Sequence, residues 1–363
     1  MYKNMDSKFP IKNVFIVKPS FNRWLEGSGF DYLYKSTAIR DVNNLLIEFA
    51  ARLCYNSLPR FGSAPKFVPN VLEKGHLSVA EHASFYIRKE QRITDSGNFR
   101  PWLEYPKMYK VWFRNRFVDM NQNAIFGNAR ALAETIYNDV NADYNKIIAS
   151  VLATSLPDLF VRSEDVPLIE LKTNEFYVAP ANGVTLLAFN VGSMIEDEIK
   201  SIRDRYKWAR YTFLIEGISR NCSHQIARHR GASISQESQR YVDSTNAQFV
   251  YPPDFTLKQI EWLSKNYGYS MAVYDELRKA GANKEDARFC LPSGIKTRMA
   301  VSFNYRELLH FLNLRCDKHA QWEIRNVALE MLRQAFLITP TKRTTELSEM
   351  YERFISNVGT DSN

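Results

Sequence analysis

The chain has 363 residues, of which 45% are hydrophobic and 24% are charged, as expected for a folded globular protein with enough length for about two domains. Glycine accounts for only 14 residues, about 4% against roughly 7% in average proteins, and the chain has no GxGxxG, GxxxxGK or GxSxG motif. These features disfavour a glycine-rich nucleotide loop, so a bound nucleotide would be held by side chains. The net charge of +8 favours an anionic partner.

The four cysteines, Cys54, Cys222, Cys290 and Cys316, lie far apart and form no CxxC pair. This spacing indicates neither a disulfide framework nor a zinc site, and we expect no bound metal. The N-terminal apolar run at 14–17 is too short for the core of a signal peptide, and no run approaches the roughly 18 apolar residues of a membrane span. We therefore expect a cytoplasmic protein without membrane attachment.

In chain order, apolar spacing predicts a helix over 41–51 and, after a polar turn, a strand over 83–87. Residues 1–40 show no clear periodicity and are interpreted as an extension. Residues 88–205 are rich in Asn, Asp and aromatic residues and carry no recognisable catalytic motif.

The pattern sharpens after residue 205. Ile218, Cys222 and Ile226 have the four-residue spacing of an amphipathic helix, and the polar segment after that helix is interpreted as a loop. The remaining predicted elements are strands over 211–216 and 297–303, a helix over 271–281 closed by Gly281, a short helix capped by Asn283, and helices over 306–315 and 319–336. This mixed order predicts the α+β class.

The densest polar segment is QIARHRGASISQESQRY, residues 225–241. Arginine guanidiniums bind phosphate through paired hydrogen bonds, and Ser, Gln and backbone N–H groups can complete such a site. A basic turn after a helix can also simply complement the helix dipole. From these residues alone, an anion site and a solvated turn both remain open.

Two further groups of polar residues are candidates for chemistry. His76, Glu81 and His82 lie close in sequence, but not at the HExxH spacing of a helical metal site, and such histidines more often have a structural role. Arg306 and His310 lie at helical spacing among leucines. Leaving a polar group buried there without a partner costs about 1 to 3 kcal/mol, which favours a paired or functional role.

Together these segments resemble the flavin-dependent thymidylate synthases (ThyX). The resemblance rests on Arg228-His229-Arg230 followed after seven residues by Ser238, which matches the RHR-x7-S motif of that family. Further matching segments occur in the family's order: AARLCY at 50–55, GHLSVAEH at 75–82, DARFCLP at 286–292, NYR at 304–306 and FLNLRCDKHAQWEI at 311–324.

The resemblance implies a ThyX-type fold of the α+β class, with a central antiparallel sheet and flanking helices. The core would comprise residues 41–87 and 206–350, preceded by the extension at 1–40 and followed by a tail at 351–363. Residues 88–205 would be a long insertion that ordinary members lack.

The resemblance also implies a methyltransferase that converts dUMP to dTMP through FAD, with 5,10-methylenetetrahydrofolate as carbon donor and NADPH as reductant. Members of the family are homotetramers whose active sites are shared between subunits, and no nucleic acid is implied. Two alternatives remain: the same fold acting on another pyrimidine nucleotide such as UMP, and, more remotely, a basic nucleic-acid-binding protein.

The family's site residues are carried over by matching position. The resemblance assigns FAD binding to Ser78, Arg228, His229, Arg230, Gln236, Asn304, Tyr305, Arg306 and His310. It assigns dUMP binding to Gln225, Ile226, Ala227, Arg228, Gln236, Glu237, Ser238, Gln239, Arg240, Arg288 and Arg315, and it places His76 near the folate or the flavin. Arg315 is the expected catalytic residue, because a permanent cation beside N3 stabilises negative charge on the uracil ring.

Overall fold

The computed structural model describes residues 14–17, 20–21, 42–88, 118–120, 124–131, 168–169, 181–190, 209–339 and 346–356. The strands are β1 (Val14–Val17), β2 (Ser20–Phe21), β3 (Ser84–Arg88), β4 (Val118–Met120), β5 (Ala124–Asn128), β6 (Leu168–Ile169), β7 (Val184–Asn190), β8 (Arg210–Ser219), β9 (Ser233–Gln236) and β10 (Lys296–Asn304). The helices are α1 (Val42–Cys54), α2 (Ala64–Glu73), α3 (Arg220–Ala227), α4 (Leu257–Lys279), α5 (Lys284–Ala287), α6 (Tyr305–Arg315), α7 (Trp322–Ile338) and α8 (Glu346–Phe354). The α+β class is confirmed.

An antiparallel sheet carries much of the core, in the order β2-β7-β8-β10-β9. Phe213 of β8 and Phe303 of β10 are buried on one face of this sheet, in a cluster that includes Met331 of α7. On the other face Leu214 packs with Phe49 of α1. The sheet is thus covered by α1 on one side and by α3, α6 and α7 on the other, which buries both faces.

A second sheet has the order β4-β5-β3-β1-β6. Strand β3 pairs antiparallel with β5 from Ser84 opposite Asn128 to Arg88 opposite Ala124. The strands on either side of residues 88–205, β3 and β8, therefore lie in different sheets. Within that segment β5 and β7 each add a strand to one of the two sheets, while the division of the chain into core and insertion stays a prediction.

The predicted loop after α3 is wrong for residues 233–236, which form β9 and pair with β10. The strand was missed because its alternating residues are polar: Ser233 and Ser235 are buried through hydrogen bonds rather than through apolar packing. The helix predicted over 271–281 begins earlier, at Leu257, where Thr256 and Gln259 form a capping box. Gly281, just beyond its end, has φ +92 and closes the helix as predicted.

The helices predicted near 41–51, 218–230, 306–315 and 319–336 and the strands near 83–87, 211–216 and 297–303 are confirmed, with shifted ends. None of the helices that the structure describes combines the length and the apolar character needed to cross a membrane.

Candidate active site

The RHR sequence follows the end of α3, a short helix that is firmly fixed at its start. The Ser219 hydroxyl accepts a 3.1 Å hydrogen bond from the Cys222 N–H. The buried Glu323 carboxylate accepts from the Ser219 N–H at 2.6 Å and from its hydroxyl at 2.5 Å. These bonds satisfy groups at the helix N-terminus. Because α3 ends at Ala227, the next residues form a turn.

The three side chains of that turn differ in exposure. Arg228 and Arg230 are exposed, and in the part of the chain that the structure describes neither guanidinium takes part in an ion pair. His229 is only 8% exposed and lies edge-on to the Phe311 ring, with 4.8 Å between the ring centroids. The turn therefore presents two cations to solvent and holds a histidine inward.

His229 is joined to the expected catalytic residue. Arg315 Nε donates to His229 Nε2 at 3.0 Å, and the exposed His310 ring lies 6.0 Å away, centroid to centroid. The pKa of His229 is lowered to about 4, chiefly by burial and also by the nearby Arg315 and His310, which act in the same direction. At neutral pH the imidazole is uncharged, so Nε2 accepts the bond and fixes the guanidinium.

The start of α6 carries another set of predicted flavin contacts. Asn304 is buried, and its Oδ1 caps α6 by accepting from the Glu307 N–H at 2.8 Å. Arg306 is largely exposed, with a guanidinium nitrogen 3.8 Å from the Glu307 carboxylate. The Tyr305 side chain instead lies in the core, where its hydroxyl donates to Glu346 at 3.1 Å. The two neighbours thus occupy different environments.

The turn after α3 touches the start of α6 at Gly231. A Cβ built on Gly231 would lie 2.2 Å from the Cδ of Glu307. With glycine here the Glu307 side chain can lie directly against the turn, and any larger residue would require that side chain to move. The RHR turn therefore lies next to the residue that follows Arg306.

The end of β9 is tied to three surrounding elements. Gln236 Nε2 donates to Ser223 of α3 at 2.8 Å and to Thr297 of β10 at 3.3 Å. Glu237 forms a 2.9 Å ion pair with Arg298, and the Ser238 N–H donates to the Cys54 carbonyl at 3.0 Å. These bonds hold the predicted nucleotide residues rigidly.

A cavity of about 500 Å³ opens beside this strand end. Its lining includes Glu237, Ser238 and Gln239 together with the cations Arg220 and Arg298. Arg220 is held by a 2.7 Å hydrogen bond from its guanidinium to the Glu237 carbonyl. The cavity has the volume and the mixed polar lining of a small-molecule site.

Arg240 and Arg288 meet at α5. Arg240 Nε forms a 2.8 Å ion pair with the Glu285 carboxylate, and Arg288 Nε donates to the Glu285 carbonyl at 3.0 Å. These two arginines, which the resemblance assigns to dUMP binding, are thus gathered around one residue.

An aromatic cluster beside Arg240 was not predicted from the sequence. Tyr55 hydrogen-bonds His76 Nε2 at 3.1 Å, and its ring lies 4.8 Å from the Tyr241 ring. The Arg240 guanidinium lies 5.5 Å from the centroid of Tyr241. Tyr55 stands in the matched segment at 50–55 and Tyr241 follows the RHR-x7-S motif, but only the fold shows that they adjoin His76. Ser78 is exposed on the same turn as His76.

The other predicted residues lie on the last turn of α3. Gln225 is half-buried and Ala227 exposed, whereas the Ile226 side chain is buried in the core. No hydrogen bond, ion pair or ring contact among the described residues joins the turn at 228–230 to residues 238–240. A single chain therefore presents two groups of candidate residues.

The histidines of the 75–82 turn do not converge on a common point. His76 contacts Tyr55, whereas His82 is buried between Ser302 and Ser235. Among the described residues, no three His, Cys, Asp or Glu side chains are grouped so that they could hold a metal. All four cysteines are free, and burial raises the pKa of Cys54 to about 11 and that of Cys316 to about 12. Neither thiol is ionised at neutral pH.

Comparison with known proteins places this site in a family. A family profile described as thymidylate synthase complementing protein matches residues 205–341. A flavin-dependent thymidylate synthase of Thermococcus onnurineus is 46% identical over 127 residues, which cover 33% of this chain and 52% of that protein. One of Pyrococcus furiosus is 44% identical over 132 residues, covering 35% and 54%. The chain thus spans about half the length of these two relatives.

A third relative is matched over more of its length. The flavin-dependent thymidylate synthase of Saccharolobus solfataricus is 37% identical over 177 residues, which cover 45% of this chain and 68% of that protein. At this identity and coverage, the chain belongs to the flavin-dependent thymidylate synthase family.

Proposed function

We propose that the protein converts dUMP to dTMP, with 5,10-methylenetetrahydrofolate as carbon donor and NADPH as reductant through FAD. The observation that carries this proposal is the hydrogen bond between Arg315 and the neutral His229. It fixes a guanidinium beside a turn with two exposed arginines, in a chain whose relatives bear the name of this activity.

The donor set at the RHR turn fits a flavin dinucleotide. The exposed guanidiniums of Arg228, Arg230 and Arg306 provide charge and hydrogen-bond donors for a pyrophosphate. The exposed imidazole of His310 adds ring nitrogens for hydrogen bonds and a planar face for packing. Bound FAD supplies the hydride and one-carbon chemistry, so the residues of this chain need only bind, orient and polarise.

Arg315 acts on the uracil ring. Making C5 of uracil nucleophilic requires negative charge on the ring, and a fixed guanidinium beside N3 and its carbonyls stabilises that charge. The charge of arginine does not depend on pH in the working range, and His229 holds its side chain without neutralising it. Arg315 therefore polarises the substrate rather than transferring a proton.

The phosphate and ribose of dUMP bind at the end of β9. Ser238 and Gln239 lie on the wall of the 500 Å³ cavity. Arg240 and Arg288 stand together at Glu285 as cations for the phosphate. The rings of His76, Tyr55 and Tyr241 form an aromatic face next to Arg240, which suits a planar ring of folate or flavin.

Two chains complete each site. Among the described residues of one chain, no hydrogen bond, ion pair or ring contact joins the RHR turn to residues 238–240, and Phe289, next to Arg288, is 85% exposed. A homotetramer of the ThyX-type fold, with residues 88–205 as an inserted segment, would bring the RHR turn of one subunit to the Arg240 group of another and would cover Phe289.

The four cysteines are free thiols, which suits the reducing environment of the cytoplasm.

Subunit mixing tests the shared site. Arg228→Ala and Arg240→Ala are each expected to lose most of their activity at limiting FAD and dUMP, and a mixture that exchanges subunits is expected to regain activity because some sites then contain both arginines. A mixed oligomer that stays inactive would refute sharing.

The reaction itself is tested by product analysis. The protein is reduced anaerobically by NADPH and then given methylenetetrahydrofolate with either dUMP or UMP. We expect a yellow protein whose flavin is bleached by NADPH and dTMP as the product from dUMP. If UMP is methylated and dUMP is not, the substrate is UMP and the proposed substrate is wrong. A colourless protein that binds DNA with a steep salt dependence would overturn the enzyme.

A further inference from the structure

A buried polar network lies under β9, on the face that carries Ser233 and Ser235. His82 bridges this network: its Nδ1 lies 2.8 Å from the Ser302 hydroxyl of β10 and its Nε2 lies 3.1 Å from the Ser235 hydroxyl. The Ser302 hydroxyl is also 2.7 Å from that of Thr212 in β8. One imidazole therefore links the end of the 77–82 turn to neighbouring strands.

The same network contains a buried cation, Arg210. Its Nη2 donates to the Ser233 hydroxyl at 3.0 Å and to the Glu81 carbonyl. Burial lowers the pKa of Arg210 to about 10, while the charge of Glu81 acts in the opposite direction. A buried guanidinium is tolerated only near a compensating anion, so the network depends on an ionised Glu81.

Glu81 is in turn held by Arg130. Arg130 Nη1 forms a 2.9 Å ion pair with Glu81 Oε1, with side chains that are 33% and 9% exposed. Burial raises the pKa of the Glu81 carboxyl, and Arg130 is the largest opposing influence. Arg130 therefore favours the charged form of Glu81 against the effect of burial.

Backbone bonds fix Arg130 in place. Strand β5 pairs with β3 up to Asn128, the Ala129 N–H donates to the Ala83 carbonyl at 3.0 Å, and the Asn128 side chain accepts from the Ala131 N–H at 2.8 Å. Residues 124–131 lie outside every segment on which the family resemblance rests. This segment is thus built onto the residues that follow the 75–82 turn.

We propose that Arg130 is a positioning residue for the candidate active site. Through Glu81 it holds the turn bearing His76 and Ser78 against β9, which ends at Gln236 and leads into Ser238. The inference rests on the proposed function and gives part of the 88–205 segment a role in it: this segment sets the spacing between two sides of the site.

The chain offers a matched control in α7. Arg333 and Glu330 form a 2.6 Å ion pair with side chains 29% and 6% exposed, close to the exposure of Arg130 and Glu81. Gln334, on the same helix, donates to Glu330 and to the Val184 carbonyl of β7, so this ion pair also lies against a strand. None of these residues belongs to the candidate site, so Arg333→Met removes an equivalent ion pair elsewhere.

The experiment compares Arg130→Met with Arg333→Met in the full-length protein. The readouts are amide hydrogen exchange at 77–82 and 233–238, the Kd for FAD and the KM for dUMP. Both variants are expected to unfold more easily. Only Arg130→Met is expected to exchange amide hydrogens faster at both segments. It is also expected to bind FAD about tenfold more weakly, because the charge-assisted bond between Arg130 and Glu81 that holds the turn is lost. Arg130→Lys is expected to restore most of the loss.

The result against the proposal is an Arg130→Met protein that matches Arg333→Met in exchange at 233–238 and in FAD affinity. A wild-type chain that binds no flavin would refute the proposed function instead. The exchange comparison would then still decide whether Arg130 holds the turn on β9, because it requires no ligand.

Discussion

Arg315 Nε donates a 3.0 Å hydrogen bond to Nε2 of His229, joining the last residue of α6 to the turn after α3. The pKa of His229 is lowered to about 4, chiefly by burial, so the bond joins a permanent cation to a neutral acceptor. An aspartate at this place would neutralise the guanidinium, whereas the imidazole orients it and leaves its charge for a ligand.

Replacing Arg315 separates substrate polarisation from flavin binding. Arg315→Ala is expected to retain FAD and to lose about 100-fold or more in the rate of dTMP formation, the usual effect of removing one preorganised donor to a developing charge. The flavin content follows from the absorbance spectrum and the rate from product analysis. Arg325→Ala serves as control, because the Arg325 side chain donates to the Cys316 carbonyl and lies outside the candidate site. Normal turnover by Arg315→Ala would refute the role of Arg315.

Arg228 is expected to act on the flavin. Arg228→Ala removes an exposed guanidinium and is expected to weaken FAD binding about tenfold or more, since hydrogen bonds to charged groups contribute about 1.5 to 3 kcal/mol. Titration of the apoprotein with FAD measures the Kd. Lys265→Ala, on the exposed face of α4, is the matched loss of a surface cation. Equal FAD affinity in the two variants would contradict the placement of Arg228.

The close approach at Gly231 predicts a rescue. In Gly231→Ala the new methyl group would meet Glu307 at 2.2 Å, so the side chain next to Arg306 must move and FAD binding is expected to weaken. Glu307→Ala removes the obstructing atoms, and the double variant is expected to bind FAD better than Gly231→Ala alone. The double-mutant cycle is measured by FAD titration. Additive losses would mean that the two residues do not interact.

His82 predicts a specific pH dependence of stability. Burial lowers its pKa from 6.5 to about 3, so between these values the unfolded chain binds a proton that the folded chain does not. The contribution of His82 to the free energy of unfolding is therefore largest above pH 6.5 and decreases as the pH falls below that value. His82→Gln is less stable at pH 7.5, but its deficit is expected to shrink by about 1.4 kcal/mol per pH unit below 6.5.

Urea unfolding of both proteins between pH 7.5 and 4.5 measures this difference. Ser302→Ala removes one bond to His82 but keeps the histidine, so its deficit is expected to change little with pH. A constant deficit for His82→Gln would show that the imidazole is not held neutral.

The parts of the fold that sequence reasoning predicts well are those with apolar periodicity. Helix α3 carries its buried residues Cys222 and Ile226 at the predicted spacing, and the strand predicted over 297–303 lies within β10. The edge strand β9 escapes such reasoning because Ser233 and Ser235 are buried by polar partners that come from distant residues. Apolar periodicity predicts which residues pack against apolar neighbours, but it does not predict a strand face that is buried through hydrogen bonds.

The candidate site divides along the same line. The RHR turn and Arg315 are recognised from their motifs, but their hydrogen bond depends on how α3 and α6 pack. The contact of Tyr55 and Tyr241 with His76 cannot be read from the sequence, since only the fold brings these residues together. The ion pair of Arg130 with Glu81 likewise joins residues on separate strands and turns, and pairings of this kind depend on tertiary structure.

The conversion of dUMP is the central claim, and a single-turnover experiment tests it most directly. Enzyme-bound flavin, reduced by NADPH without oxygen, is mixed with dUMP and methylenetetrahydrofolate, and nucleotides and flavin absorbance are followed together. The account predicts that dTMP appears as the flavin is reoxidised, and that both changes are about 100-fold or more slower with Arg315→Ala. Reoxidation of the wild-type flavin without any dTMP would contradict it.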